Sequence, residues 1–96
     1  MPAYVITDIR QHGSDEEVAE YRSGVPATLE PYGGRFVVRG GRTDVVEGTW
    51  EPERMVVIEF PDVQAARDWY ASPAYQEILP LRTRNCETGM ILVEGI

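Results

Sequence analysis

The sequence predicts a single α+β domain in which two β-α-β halves are joined by a hairpin. Three features of the 96-residue chain carry that expectation. Four separated runs are rich in β-branched and aromatic residues. The two longer stretches between them space their apolar residues three or four apart. A serine or an aspartate stands where each of those stretches begins. Ninety-six residues are enough for one modest core.

The first run, Ala3-Tyr4-Val5-Ile6-Thr7-Asp8-Ile9, reads as a strand. Ser14-Asp15-Glu16-Glu17 follows as a capping box, with Ser14 as N-cap and Glu17 three residues on. Val18, Tyr21, Val25, Leu29 and Tyr32 then mark one buried helical stripe, with a kink or restart expected at Pro26. Gly33-Gly34 closes that helix in the manner of a C-cap. The second strand is Arg35 to Arg39, with a continuation at Thr43 to Glu47 beyond Gly40-Gly41, and Gly48 to Glu53 forms a turn. Met55 to Phe60 is the third strand. Asp62 caps a second helix, which Ser72-Pro73 interrupts and restarts through Tyr75, Ile78, Leu79 and Arg82. Gly89 to Glu94 is the last strand. The order β-α-β-β-α-β is the ferredoxin-like split β-α-β arrangement. Right-handed crossovers then give a four-stranded antiparallel sheet with the helices on one face.

Strand faces follow from parity. Phe36 and Val38 are expected on the helix-facing side with Val56, Ile58 and Phe60, since a one-residue slip would turn each set over. That parity requires one bulged residue, and Gly40-Gly41 is the expected place for it. Arg35, Val37 and Arg39 then share the open face with Met55, Val57 and Glu59. Val37, Met55 and Val57 are too apolar for open water, so a second copy is expected to cover that face across a two-fold axis.

Composition removes several classes of function. A formal net charge of −7 argues against nucleic acid and acidic lipid as partners. All nine basic residues are arginine, which excludes lysine general bases and Schiff-base chemistry. No apolar run approaches the roughly 20 residues of a membrane span. The N-terminus lacks the pattern of a signal peptide, and the lone Cys86 suits a reducing compartment, so a cytoplasmic location is expected. There is no P-loop or dinucleotide fingerprint, and His12 stands alone in a loop, so neither a cofactor nor a metal is expected.

The candidate site centres on Arg39 and Glu59. One reading has Arg39 clamp a carboxylate, enolate or phenolate while Glu59 acts as base; the other has the two neutralise each other within a dimer. Tyr75 is a candidate proton donor or a core residue. Ser72 reads as a helix cap or a ligand contact. Trp69 and Tyr70 are adjacent and diverge on their helix, one inward and one toward a rim or an interface. Trp50 sits in the hairpin turn as a dimer contact or a pocket lid.

Tyr32-Gly33-Gly34-Arg35, Val38-Arg39-Gly40-Gly41, Glu47-Gly48, Glu53-Arg54, Val57 to Phe60, Ala65-Ala66, Trp69-Tyr70, Ser72-Pro73 and Tyr75 together resemble the bacterial domain of unknown function 1330 family. The resemblance covers nearly the whole chain. It implies a dimeric α/β barrel of ferredoxin-like subunits and no established reaction. Wider relatives of that fold include cofactor-free monooxygenases, muconolactone isomerases, haem-degrading enzymes and stress-responsive barrel proteins, among which fold does not choose. The resulting expectation is a homodimer with a pocket, between sheet and helices or between sheets, for a small polar or anionic organic molecule. Cofactor-free acid–base chemistry fits such a pocket; a non-catalytic dimerisation or ligand-sensing module is the alternative.

Overall fold

In the computed structural model, which describes residues 1–96, β1 (Ala3–Gln11), β2 (Arg35–Arg39), β3 (Arg54–Phe60) and β4 (Cys86–Glu94) form one antiparallel sheet ordered β2–β3–β1–β4. Helix α1 (Asp15–Leu29) links β1 to β2 through a short 3-10 turn, and α2 (Val63–Ala71) and α3 (Pro73–Thr83) link β3 to β4. This is the expected ferredoxin-like α+β architecture. The core lies between sheet and helices, where Val5, Ile9, Val56, Ile58 and Phe60 meet Val18, Tyr21, Val25 and Leu29 of α1 and Trp69 and Tyr75 from α2 and α3.

Local chemistry sets the helix ends. Ser14 Oγ accepts from the Glu17 N–H, Asp62 Oδ1 from Ala65 and Ser72 Oγ from Tyr75. The reciprocal half of the expected capping box is absent. Glu17 instead binds Arg84 and Asn85, and Asn85 Oδ1 takes the Ser14 N–H at 2.8 Å. Gly33 closes the 3-10 turn at φ 69°, a left-handed conformation glycine adopts without strain. Pro26 does not restart α1, which runs through it unbroken to Leu29.

Two expectations about the hairpin are corrected. Residues 43–47 form no strand; 40–53 is an irregular loop tied to β1 by Arg10 Nη2 on the Glu51 carbonyl and the Gln11 N–H on Glu53. The bulge lies inside β2. Arg35 faces Glu59 and Phe36 faces Ile58, as parity requires, but Val38 then faces Val57 and Arg39 faces Val56, leaving Val37 as the extra residue. Val38 therefore joins the open face and Arg39 the helix face. Phe36 and Arg39, three apart, would be on opposite faces of a regular strand. Here they share one, with the guanidinium carbon 4.2 Å from the ring centroid, and that contact favours the bulge at Val37. Gly40 keeps its own role: its N–H pairs with the Met55 carbonyl at 2.8 Å, and a side chain there would collide with Arg54.

Candidate functional site

A cavity of about 40 Å³ opens between α1 and the sheet. Its walls are apolar, with Val18, Val25, Phe36, Val56, Ile58 and Trp69 among them. Its charged groups are all arginines: Arg22, Arg39, Arg54 and Arg82. No aspartate, glutamate or histidine lines it. The chain has 16 acidic residues for nine arginines, so carboxylates are not scarce. Yet the three ion pairs, Arg10–Asp8, Arg35–Glu59 and Arg84–Glu17, use none of these four arginines.

Each guanidinium is delivered by a different element. Pro26 has no N–H to give the Arg22 carbonyl four residues back, and Arg39 Nη2 donates to that oxygen at 3.2 Å instead. Arg54 shares the helix-facing parity of Val56 and Ile58; its burial and the nearby Arg22 and Arg39 charges push its pKa below the ordinary value. Arg82 continues the buried side of α3 and is only 4% exposed, with Nε unpaired. Its Nη2 donates to the Tyr75 hydroxyl at 3.4 Å, and the Tyr75 and Tyr21 hydroxyls are 2.7 Å apart. Burial, acting first, drives the Tyr75 pKa upward. Such a set can hold an organic anion against an apolar wall and offer it the Tyr21 hydroxyl.

The candidate residues divide among three places. Arg39 and Trp69 reach the cavity, and Trp69 is anchored by its indole N–H on Thr28 Oγ1 at 3.0 Å. Tyr75 is fully buried behind Tyr21, while Ser72 is consumed as a cap, donating to the Trp69 carbonyl at 2.7 Å. Tyr70 is exposed on the rim of a separate groove between α2 and β4. Glu59 and Trp50 lie on the open side of the sheet. The expected Arg39–Glu59 pair does not form: the register sets Glu59 opposite Arg35 and Arg39 opposite Val56 at the far end of β2, and the bulge turns Arg39 to the helix face. Arg35 takes its place, with Nη2 2.6 Å from Glu59 Oε1, while Tyr4 donates to Oε2 at 2.9 Å. The Arg35 and Tyr4 bonds hold the Glu59 carboxyl below its ordinary pKa. Trp50 Nε1 donates to Asp8 Oδ2 at 3.0 Å, laying the loop against β1.

Sequence reasoning missed Arg22, Arg54, Arg82 and Tyr21 as site residues. The signals were present: the parity that placed Val56 and Ile58 also places Arg54, and Arg82 lies on the Tyr75–Ile78–Leu79 stripe.

The chain is a ferredoxin-like α+β domain, a fold that hosts many unrelated activities. The chain belongs to the family described as Domain of unknown function (DUF1330), whose model matches residues 2–96. No curated protein matches it. Among solved structures, a protein of unknown function from Rhodopseudomonas palustris is 19% identical, with a TM-score of 0.76 over 99% of this chain and 82% of that one. A dimeric ferredoxin-like protein of unknown function from Jannaschia sp. CCS1 is 14% identical, with a TM-score of 0.74 over 99% of this chain and 100% of that one. SnoaB, a cofactor-independent oxygenase from Streptomyces nogalater, is 14% identical, with a TM-score of 0.68 over 99% and 93%. At these identities the likeness concerns the fold.

Proposed function

We propose that this protein is a homodimer in which each subunit binds a small organic anion in the cavity between α1 and the sheet. The observation that carries the reading is the convergence of Arg22, Arg39, Arg54 and Arg82 without a lining carboxylate, in a chain of net charge −7. The like charges of Arg22, Arg39 and Arg54 repel, and the buried Arg82 guanidinium without a counter-ion is costly to desolvate. A bound carboxylate, enolate or phenolate relieves both penalties.

Dimerisation is supported by the open sheet face. Ile6, Met55, Val57, Val38, Ile91 and Val93 share it by register, and Val38, Ile91 and Val93 are 39%, 60% and 42% exposed. A relative of the same fold is dimeric. Glu59, Arg35 and Tyr4 would then belong to the interface, which makes Glu59 a partner-setting residue and removes it from the role of base. Cofactor-free chemistry in the cavity would fall to the Tyr21 hydroxyl that lines it, in keeping with the cofactor-independent oxygenase among the fold relatives. A cytoplasmic setting suits the single free cysteine; no helix is long and apolar enough to cross a membrane.

A thermal-shift series with small carboxylates, enolates and phenolates tests the assignment. Ligand at 100 times its Kd stabilises by about 2.7 kcal/mol. Arg39→Met and Arg54→Met are expected to abolish that shift, while Arg35→Met on the open face preserves it. Equal shifts in all three variants would place the ligand elsewhere.

A further inference from the structure

At the buried end of the cavity, Arg82, Tyr75 and Tyr21 form a short chain of hydrogen bonds whose direction can be worked out. A guanidinium has donors only, so the Tyr75 oxygen accepts from Arg82 across 3.4 Å. The Tyr75 hydroxyl is fully buried, and its one other partner is the Tyr21 oxygen 2.7 Å away. Were Tyr21 the donor in that bond, the Tyr75 proton would be buried without an acceptor. The satisfied arrangement has Tyr75 donate to Tyr21, which leaves the Tyr21 proton unused. Tyr21 lines the cavity and Tyr75 does not.

We infer that Tyr21 is the hydrogen-bond donor the cavity presents to its ligand, that Arg82 and Tyr75 are positioning residues aiming its proton inward, and that the ligand is a small anion with an additional acceptor oxygen near its anionic group. This inference rests on the reading of the cavity as an anion site. The arginines at the open end, Arg22, Arg39 and Arg54, take the anionic group; the phenol takes the second oxygen. A cavity of about 40 Å³ limits the ligand to a few heavy atoms unless the exposed Arg39 swings aside. A short 2-oxo acid has this chemistry and size. The upward push that burial gives the Tyr75 pKa keeps its proton on throughout the neutral range.

Pyruvate and propionate are the matched probes, alike in carboxylate and chain length and differing in the keto oxygen. Calorimetric titration at pH 7 is expected to give pyruvate a preference of about fivefold, the size of one hydrogen bond. Tyr21→Phe should bring the ratio to about one while leaving propionate affinity in place. Tyr75→Phe keeps the Tyr21 hydroxyl but removes its donor, and should reduce the ratio; it decides the matter if Tyr21→Phe fails to fold. An unchanged ratio in the folded variant overturns the inference. Equal binding of both acids by the natural protein overturns it too, with the anion site left standing. If neither acid binds, the anion site and the inference fail together.

Discussion

Arg39 Nη2 donates to the Arg22 main-chain carbonyl across 3.2 Å, and Arg22 is the residue whose helical acceptor Pro26 cannot use. A proline inside a helix is here the reason an arginine from the edge strand is tethered to α1. Helix continuity is weakened at the point where a site residue is held.

Pro26→Ala restores the N–H that competes for that carbonyl. The variant is expected to gain about 1–3 kcal/mol in denaturant unfolding, because an interior proline weakens a helix by about 3 kcal/mol. It is also expected to bind small carboxylates more weakly, since Arg39 loses its tether. Stabilisation without any loss of affinity would show that the tether does not position Arg39.

Deleting Val37 tests where the bulge lies. Val38 already faces Val57 and Arg39 already faces Val56, so removing the extra residue leaves both pairs and both faces unchanged. The shortened chain is expected to fold and to retain anion binding. With the bulge at Gly40-Gly41 instead, β2 would be regular up to Arg39, and the deletion would exchange the faces of Val38 and Arg39 and cost stability.

Trp69 tests the packing under the cavity. It is 1% exposed, its ring centroid is 4.1 Å from that of Tyr75, and its indole N–H reaches Thr28. Trp69→Ala is expected to cost about 3–5 kcal/mol in equilibrium unfolding. Trp69→Phe should cost about 1–2 kcal/mol: it loses one hydrogen bond and some volume but orphans no donor, since Thr28 still donates to the Val25 carbonyl at 2.7 Å.

Acid stability should depend on Glu17. The hydrogen bonds from Arg84 and then Asn85 lower its pKa from 4.5 to about 2 in the folded chain. A carboxyl depressed by folding stabilises the native state above its unfolded pKa and loses that contribution as pH falls toward the folded one. Glu17→Gln should therefore lie below the natural protein in melting temperature at pH 7. The gap should close between about pH 4.5 and 2. A gap constant across that window would assign the effect to lost shape rather than charge.

Most of the fold was legible because its determinants are local. Ser14, Asp62 and Ser72 act as caps on neighbours three residues away, and the Val56–Ile58–Phe60 alternation orients β3 without reference to other strands. The site was less legible because it depends on Val37. Whether β2 absorbs its extra residue there or at Gly40 is decided by the packing of Arg39 over Phe36 and by its reach to α1, contacts made only once the sheet and helix meet. The one-residue difference moved Arg39 from the open face to the helix face, while the register kept Glu59 opposite Arg35. The expected Arg39–Glu59 pair is absent, and Arg35 holds Glu59 on the open face instead. Arg82 lay on a stripe that reads as core, and burial alone does not distinguish an arginine that packs from one awaiting an anion.

The absence of carboxylate, histidine and lysine from the cavity lining has a consequence for acidity. Guanidinium groups keep their protons in proteins, so this cavity is cationic at every ordinary pH. Its thiol, Cys86, is pushed upward by burial and stays neutral near pH 7. The protein therefore contributes almost no proton uptake of its own to binding. A plot of affinity against pH would bend only where the bound molecule itself loses its proton, and the titration curve would report the acidity of the ligand before its identity is known.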